Sequence, residues 1–137
     1  MSKIAIGKHP YGRQGRLVWV TSHGVWTPDE VRHLIAFLEA EQTREPRLGL
    51  LLDVSGGASV GPEARRALAE RTNKEGSTVP VAVVGASLAI RAFLTMVIRT
   101  VQLFGGPAAP VAFFASEAEG QAWLESYRFR DESHAAS

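Results

Sequence analysis

The chain contains no cysteine. Disulfides, thiolate zinc sites, iron–sulfur clusters and a cysteine nucleophile are therefore excluded. Charge of one sign is lacking as well: 15 Lys and Arg stand against 14 Asp and Glu, a formal balance of +1. That balance lacks the strong positive field that gathers phosphate backbones, so no nucleic-acid partner is expected. No apolar run is long enough to span a bilayer. The most apolar stretch, Leu88 to Phe104, is interrupted by Arg91, Arg99 and Gln102 and falls short of the ~20 residues a span requires. The first ten residues offer only Ile4-Ala5-Ile6 where a secretory leader needs a longer apolar run and a cleavage site. A soluble, cytoplasmic protein is the expectation.

Several chemical signatures are also missing. Ser55-Gly56-Gly57-Ala58 has neither the G-x-G-x-x-G spacing of a dinucleotide turn nor the Gly-Lys-Ser/Thr ending of a phosphate loop. None of the four histidines, His9, His23, His33 and His134, forms a metal-ligand pair on a helix face. No G-x-S-x-G elbow occurs. Asp53 ends an apolar run as a receiver-domain phosphoacceptor does, but the turns Ser22-His23-Gly24 and Ala115-Ser116-Glu117 lack the further acids and the lysine that metal-assisted phosphoryl transfer needs. Asp53 is expected to accept hydrogen bonds from the glycine turn after it. His23, at a strand end, is the best acid–base candidate for a small hydrolase, and a solvated or turn-bonded histidine is its plainer reading. No enzyme activity, metal or cofactor is expected.

What is present is the composition of one globular domain. At 137 residues and 45% hydrophobic content, a chain buries roughly 68% of its unfolded surface and needs no staples. Lys3 to Lys8 and Arg16 to Ser22 read as an antiparallel hairpin joined by a loop carrying Gly12 and Gly15. A strand–helix alternation follows. Thr27-Pro28-Asp29-Glu30 is a capping box with Pro at the first helical position. Val31, Leu34, Ile35 and Leu38 then recur at helical spacing. Leu48 to Val54 is nearly all apolar, as a strand buried on both faces is. Gly61-Pro62 opens a second helix, with Ala64, Ala67 and Leu68 on its core side and Gly76 at its end. Val79 to Val84 is a strand with Pro80 at its start. Ser87 caps a third helix, Val111 to Ala115 is the last strand, and Ser116 to Glu119 is a second capping box opening a fourth helix with Gly120, Trp123, Leu124 and Tyr127 as its stripe.

The expected fold is a single α/β domain over residues 1–127, with a polar tail at 128–137. Its sheet is mixed and mostly parallel, with about five strands and about four helices. In such sheets ligands and partners meet the carboxyl ends of the parallel strands. Here that edge carries the turns after Thr21, Asp53, Val84 and Phe114, each leading into a helix N-terminus that favours negative charge.

The third helix is unusual. Ser87, Arg91, Thr95 and Arg99 form one narrow polar stripe, and nearly every other position is apolar. A helix resting on a sheet needs an apolar arc only a little over 100° wide. The remainder is to be covered by the same chain, by a second subunit in a homodimer, or by a lipid, membrane surface or partner protein. Trp26, Phe93, Met96, Val97 and Phe104 are the apolar candidates for that contact, with Arg91 and Arg99 as its rim.

Gly24-x-Trp26-Thr27-x-x-Glu30, Leu52-Asp53-Val54-Ser55-Gly56, Ala64-Arg65, the strand Val81 to Gly85, Arg91, Phe113-Phe114 and Ala122-Trp123-Leu124 together resemble the SpoIIAA-like branch of the STAS superfamily. That branch is structurally similar to CRAL-TRIO lipid-binding domains. The resemblance covers roughly residues 16 to 126. It implies a regulatory domain, like an anti-sigma factor antagonist, that contacts a kinase-like or sensor protein and is controlled by serine phosphorylation. The CRAL-TRIO likeness implies binding of a lipid or hydrophobic small ligand as the alternative. The family's Asp-Leu-Ser-Gly segment matches Asp53-Val54-Ser55-Gly56, but its following Asp-Ser-Ser-Gly does not: Gly61, Pro62 and Glu63 stand there. The phosphoacceptor is not carried over. Ser59 and Ser55 are the nearest hydroxyls, and Glu63 is either a permanent negative charge in their place or a carboxylate favoured by the helix dipole.

Overall fold

The computed structural model describes residues 4–67, 79–103 and 110–127. Three antiparallel strands come first: β1 (Ile4–Ile6), β2 (His9–Gln14) and β3 (Leu17–Thr21). The stretch expected to be a loop is thus a strand, and the hairpin is a three-stranded meander. Gly12 reads as a loop residue, but it and Pro10 each have a pairing role. Pro10 sits opposite Ala5, and Gly12 opposite Trp19. A Cβ at position 12 would lie 2.6 Å from the Trp19 indole, so the glycine is there to let the ring lie across the neighbouring strand.

The parallel part follows the expected alternation. Helix α1 (Pro28–Arg44) leads to β5 (Gly49–Asp53), and α2 (residues 62–67 as described) precedes β7 (Val81–Val84). Helix α3 (Leu88–Leu103) leads to β8 (Val111–Phe114), and α4 (Glu117–Ser126) ends the described chain. Two three-residue strands in the carboxyl-edge turns, β4 (Gly24–Trp26) and β6 (Ala58–Val60), pair in parallel as a small second sheet. The main sheet has the order β1-β2-β3-β5-β7-β8, six strands where about five were expected.

The layering follows from handedness. From β3 the strands advance in one direction across the sheet, so right-handed crossovers put every crossover helix on one face. Val18, Val20, Leu50, Leu52 and Val81 point to that face and meet α1 and α2 through Val31, Ala64 and Ala67. Helix α4 is not a crossover and covers the other face, where Leu51, Ala82 and Val84 meet Leu124. Fully burying such side chains is worth ~1.5–3 kcal/mol each. Pro80 precedes its strand, and its carbonyl accepts the Leu50 N–H. Position 68 and Gly76 lie outside the described residues.

All three caps form, and the box at Thr27 is complete, whereas at Ser116 the Glu119 carboxylate accepts the Ser116 hydroxyl in place of its backbone N–H. The Thr27 side chain accepts the Glu30 N–H, and the Glu30 carboxylate accepts the Thr27 N–H at 2.9 Å. Ser87 Oγ accepts the Ile90 N–H, and Ser116 Oγ the Glu119 N–H.

Candidate functional site

The carboxyl edge is built on the loop after β5. Asp53 Oδ1 accepts both the backbone N–H of Ser55 (2.9 Å) and its hydroxyl (2.7 Å). This is the turn bonding expected of Asp53, and it ties down the Ser55 side chain. Gly85 backs the loop from the next turn: its φ is +77°, and a Cβ there would lie 2.9 Å from Ser55 Cβ. Ser55 itself is exposed. Ser59 lies in β6 opposite Val25, and both are exposed. Glu63 is exposed in the first turn of α2, after Gly61, whose carbonyl accepts the Arg65 N–H. The three residues therefore share one solvent-facing stretch that ends at a helix N-terminus.

Behind this loop runs a buried polar chain that the sequence did not reveal. Trp26 Nε1 donates to Ser22 Oγ (2.9 Å), and the Ser22 hydroxyl donates to the Gly57 carbonyl (2.7 Å). The same carbonyl accepts the Gly24 N–H (2.9 Å). Trp26 was expected to offer an apolar contact surface. Instead it is buried, stacked flat on His9 with ring centroids 3.8 Å apart. The indole is wide enough to close the gap between the small sheet and the large one, so it faces inward.

His9 is fully buried. Its Nδ1 accepts the His23 N–H at 2.9 Å. Its Nε2 lies 3.4 Å from Glu30 Oε1 and has no hydrogen-bond partner. Burial holds the imidazole below its ordinary pKa, against the opposing pull of the Glu30 carboxylate. The Glu30 carboxyl is itself held low, first by the Thr27 N–H it accepts. Glu30 thus serves two purposes, as the closing member of a capping box and as the anion facing His9. Gly7 allows this, because any Cβ there would overlap the carboxylate. A signal for His9 was present in the sequence: His9 and Tyr11 alternate with Pro10 and Gly12, as one buried face of a strand does.

His23 is exposed, and only its backbone amide enters this network. Among the described residues no serine hydroxyl bonds its ring. Among the described residues, too, no cluster of three or more His, Asp or Glu is placed to hold a metal ion.

Helix α3 carries its polar stripe outward: Ser87, Arg91, Thr95 and Arg99 are exposed. Arg91 lies over the Phe113 ring, 5.4 Å from its centroid. Phe93, Leu94 and Ile98 are half-buried. Leu88 is 86% exposed and Met96 is 48% exposed. Phe104 and the side chain of Val97 lie outside the described residues. Among the described residues no helix is long and apolar enough to cross a membrane.

Solved structures share this arrangement. An uncharacterized DUF3478-family protein with a SpoIIAA-like fold, from Shewanella loihica, superposes with a TM-score of 0.58 at 16% identity, over 85% of this chain and 91% of its own. The anti-sigma factor antagonist SpoIIAA in its unphosphorylated form gives 0.56 at 12% identity, over 87% and 99%. A single-substitution variant of Moorella thermoacetica RsbS gives 0.54 at 18% identity, over 86% and 95%. No protein-family model matches the chain, and no curated protein matches it. The chain has a SpoIIAA-like fold.

Proposed function

We propose that this protein is a non-enzymatic regulatory domain of the cytoplasm that acts by docking a kinase-like or sensor protein on its carboxyl edge. The observation that carries the reading is the loop of Ser55, Ser59 and Glu63. It is exposed, ends at a helix N-terminus, and is held from behind by Asp53, Gly85 and the Gly57 carbonyl. A loop so braced meets a partner without first losing much freedom, which favours binding. The likeness to an anti-sigma factor antagonist supports the same reading at the level of fold.

A photo-crosslinking residue placed at Ser59 tests it. In native cytosol it is expected to capture a kinase-like or sensor protein, while the same residue at Gln121 in α4 does not. Glu63→Arg is expected to weaken that capture about tenfold, the effect of losing ~1.4 kcal/mol. Equal capture from both positions would sink the reading.

The exposed Leu88 and Met96 of α3 favour a second reading, association with a lipid or another apolar ligand. Native mass spectrometry of detergent-free protein checks it: a bound lipid is expected, and an unliganded mass together with no liposome flotation would remove it.

A further inference from the structure

The polar chain behind the loop contains one group that the docking reading leaves unused. His9 Nε2 is, among the described residues, a buried side-chain nitrogen with no hydrogen-bond partner. We propose that His9 is a proton-operated latch: its protonation breaks the bond to the His23 amide and releases the β3–β4 connection from residues 55–57. Its consequence for partner docking rests on the reading above; the latch itself does not.

The argument begins with the ring's two nitrogens. A neutral imidazole has one donor and one acceptor. Nδ1 accepts the His23 N–H, so the ring proton is on Nε2, facing Glu30 Oε1. An imidazolium donates at both nitrogens. The new proton must enter at Nδ1, where it meets the His23 N–H head on across 2.9 Å. Water does not relieve the conflict, because the ring is fully buried. The Trp26 face, 2° from parallel, holds the ring in its plane. The backbone at His23 has to give way.

Among the described residues, the charged and titratable groups facing the ring are few. Glu30, from α1, favours the imidazolium by its charge and as an acceptor, the Val25 backbone in β4 favours it as well, and Lys8, from the β1–β2 turn, opposes it. His23, from the β3–β4 connection, contributes its amide alone. The indole face also attracts a cation. Desolvation outweighs these attractions. The latch is therefore closed at neutral pH and opens only on acidification.

Movement at His23 reaches the loop by direct contact. Gly24 N–H and Ser22 Oγ both donate to the Gly57 carbonyl. Gly56 lies against the same segment: a Cβ there would sit 2.8 Å from the Ser22 carbonyl oxygen and 2.9 Å from His23 Nδ1. Residues 22–24 and 56–57 thus pack as one unit, with Ser55 next in the chain. Displacing one side unseats the other.

The test is a pH titration of the isotope-labelled full chain by NMR, from about pH 7.5 to about pH 5, the range in which histidine changes charge. At the start, His9 is expected to show a proton on Nε2 and an unprotonated Nδ1 that accepts the His23 N–H. On acidification the His9 ring is expected to titrate below 6.5, its ordinary value. The amides of His23, Gly56 and Gly57 should shift with the same midpoint. Glu30→Gln keeps the capping acceptor but removes the charge that favours the imidazolium, so the shared midpoint moves to lower pH. In His9→Gln the shared transition disappears. Loop amides that stay still while His9 titrates overturn the proposal, as does a ring that remains neutral until the chain unfolds. If His9→Gln does not fold, the Glu30→Gln midpoint decides, and an unmoved midpoint is the negative result. No partner enters the experiment, so it stands or falls apart from the crosslinking at Ser59.

Discussion

His9 and Trp26 lie ring on ring, with centroids 3.8 Å apart and planes 2° from parallel. One ring comes from β2 of the six-stranded sheet and the other from β4 of the two-stranded one. The stack joins the two sheets and places the indole N–H on Ser22. It brings the turn between β1 and β2 into the same structure as the loop after β5.

Removing the indole should be costly. Trp26→Ala empties a buried site and is expected to destabilise the fold by ~3–5 kcal/mol. Trp26→Phe keeps a ring over His9 but loses the hydrogen bond to Ser22, and should cost clearly less. Urea unfolding followed by circular dichroism distinguishes the two.

Ser22→Ala strands the Trp26 N–H and withdraws one donor from the Gly57 carbonyl. A buried donor left unmade costs about 1–3 kcal/mol. Because Ser22→Ala and Trp26→Phe break the same bond, the double variant should be less destabilised than the sum of the singles. Strict additivity would show that the bond contributes nothing.

The capping box makes a local prediction. Thr27→Ala should lose about 0.5–2 kcal/mol, the usual range for an N-cap. Glu30→Ala should cost more than Glu30→Gln, which retains an acceptor for the Thr27 N–H. Thermal melts of the three variants give the order.

Stability should depend on pH in a defined direction. The folded His9 has a pKa below its ordinary 6.5. Between those two values the unfolded chain binds more protons, so unfolding free energy falls as pH falls. The stabilisation from neutral His9 is complete above 6.5 and is lost as pH drops through the folded value. The Glu30 carboxyl, also held low, gives up its contribution at more acidic pH still, as it protonates through its own folded value. Urea midpoints measured at a series of pH values check this. His9→Gln should flatten the upper part of the curve and leave the more acidic part.

Gly120 separates two opposed effects. Replacing a helical glycine by alanine gains up to about 1 kcal/mol of propensity. Yet a Cβ there would stand 2.9 Å from Leu51 Cδ1, 3.1 Å from Val84 Cγ2 and 3.3 Å from Ala82 Cβ. Gly120→Val adds two more carbons to that crowding and has a poorer propensity, so sterics should win by about 1–3 kcal/mol. A melting temperature at or above that of the parent would show that α4 can lift off the sheet at little cost.

Much of this fold was legible in the sequence, for identifiable reasons. Thr27 with Glu30 and Ser116 with Glu119 announce helix starts because their bonds span three residues. Leu48 to Val54 announces a central strand because both of its faces are apolar. The strand β2 was missed because Pro10, Gly12 and Gly15 imitate a turn; only the Trp19 indole opposite shows why a glycine is wanted. The strands β4 and β6 are three residues each, too short for a period to emerge. The docking stretch of Ser55, Ser59 and Glu63 was visible as a turn before a helix, and His9 left only the faint alternation with Tyr11, whereas the bonds of Ser22 and the burial of Trp26 left no sign.

Local spacing settled which segments are helices and strands, where they start, and that α3 carries more apolar surface than one sheet face needs. Those properties depend on residues within a turn or two of each other, and their order along the chain is the physics. The pairings of His9 with Trp26, Ser22 with Gly57, and Glu30 with His9 were decided by the tertiary structure. All of them join residues from separate parts of the chain. Which side chains meet there depends on register, strand order and the hand of the crossovers, and these emerge only when the whole sheet has assembled.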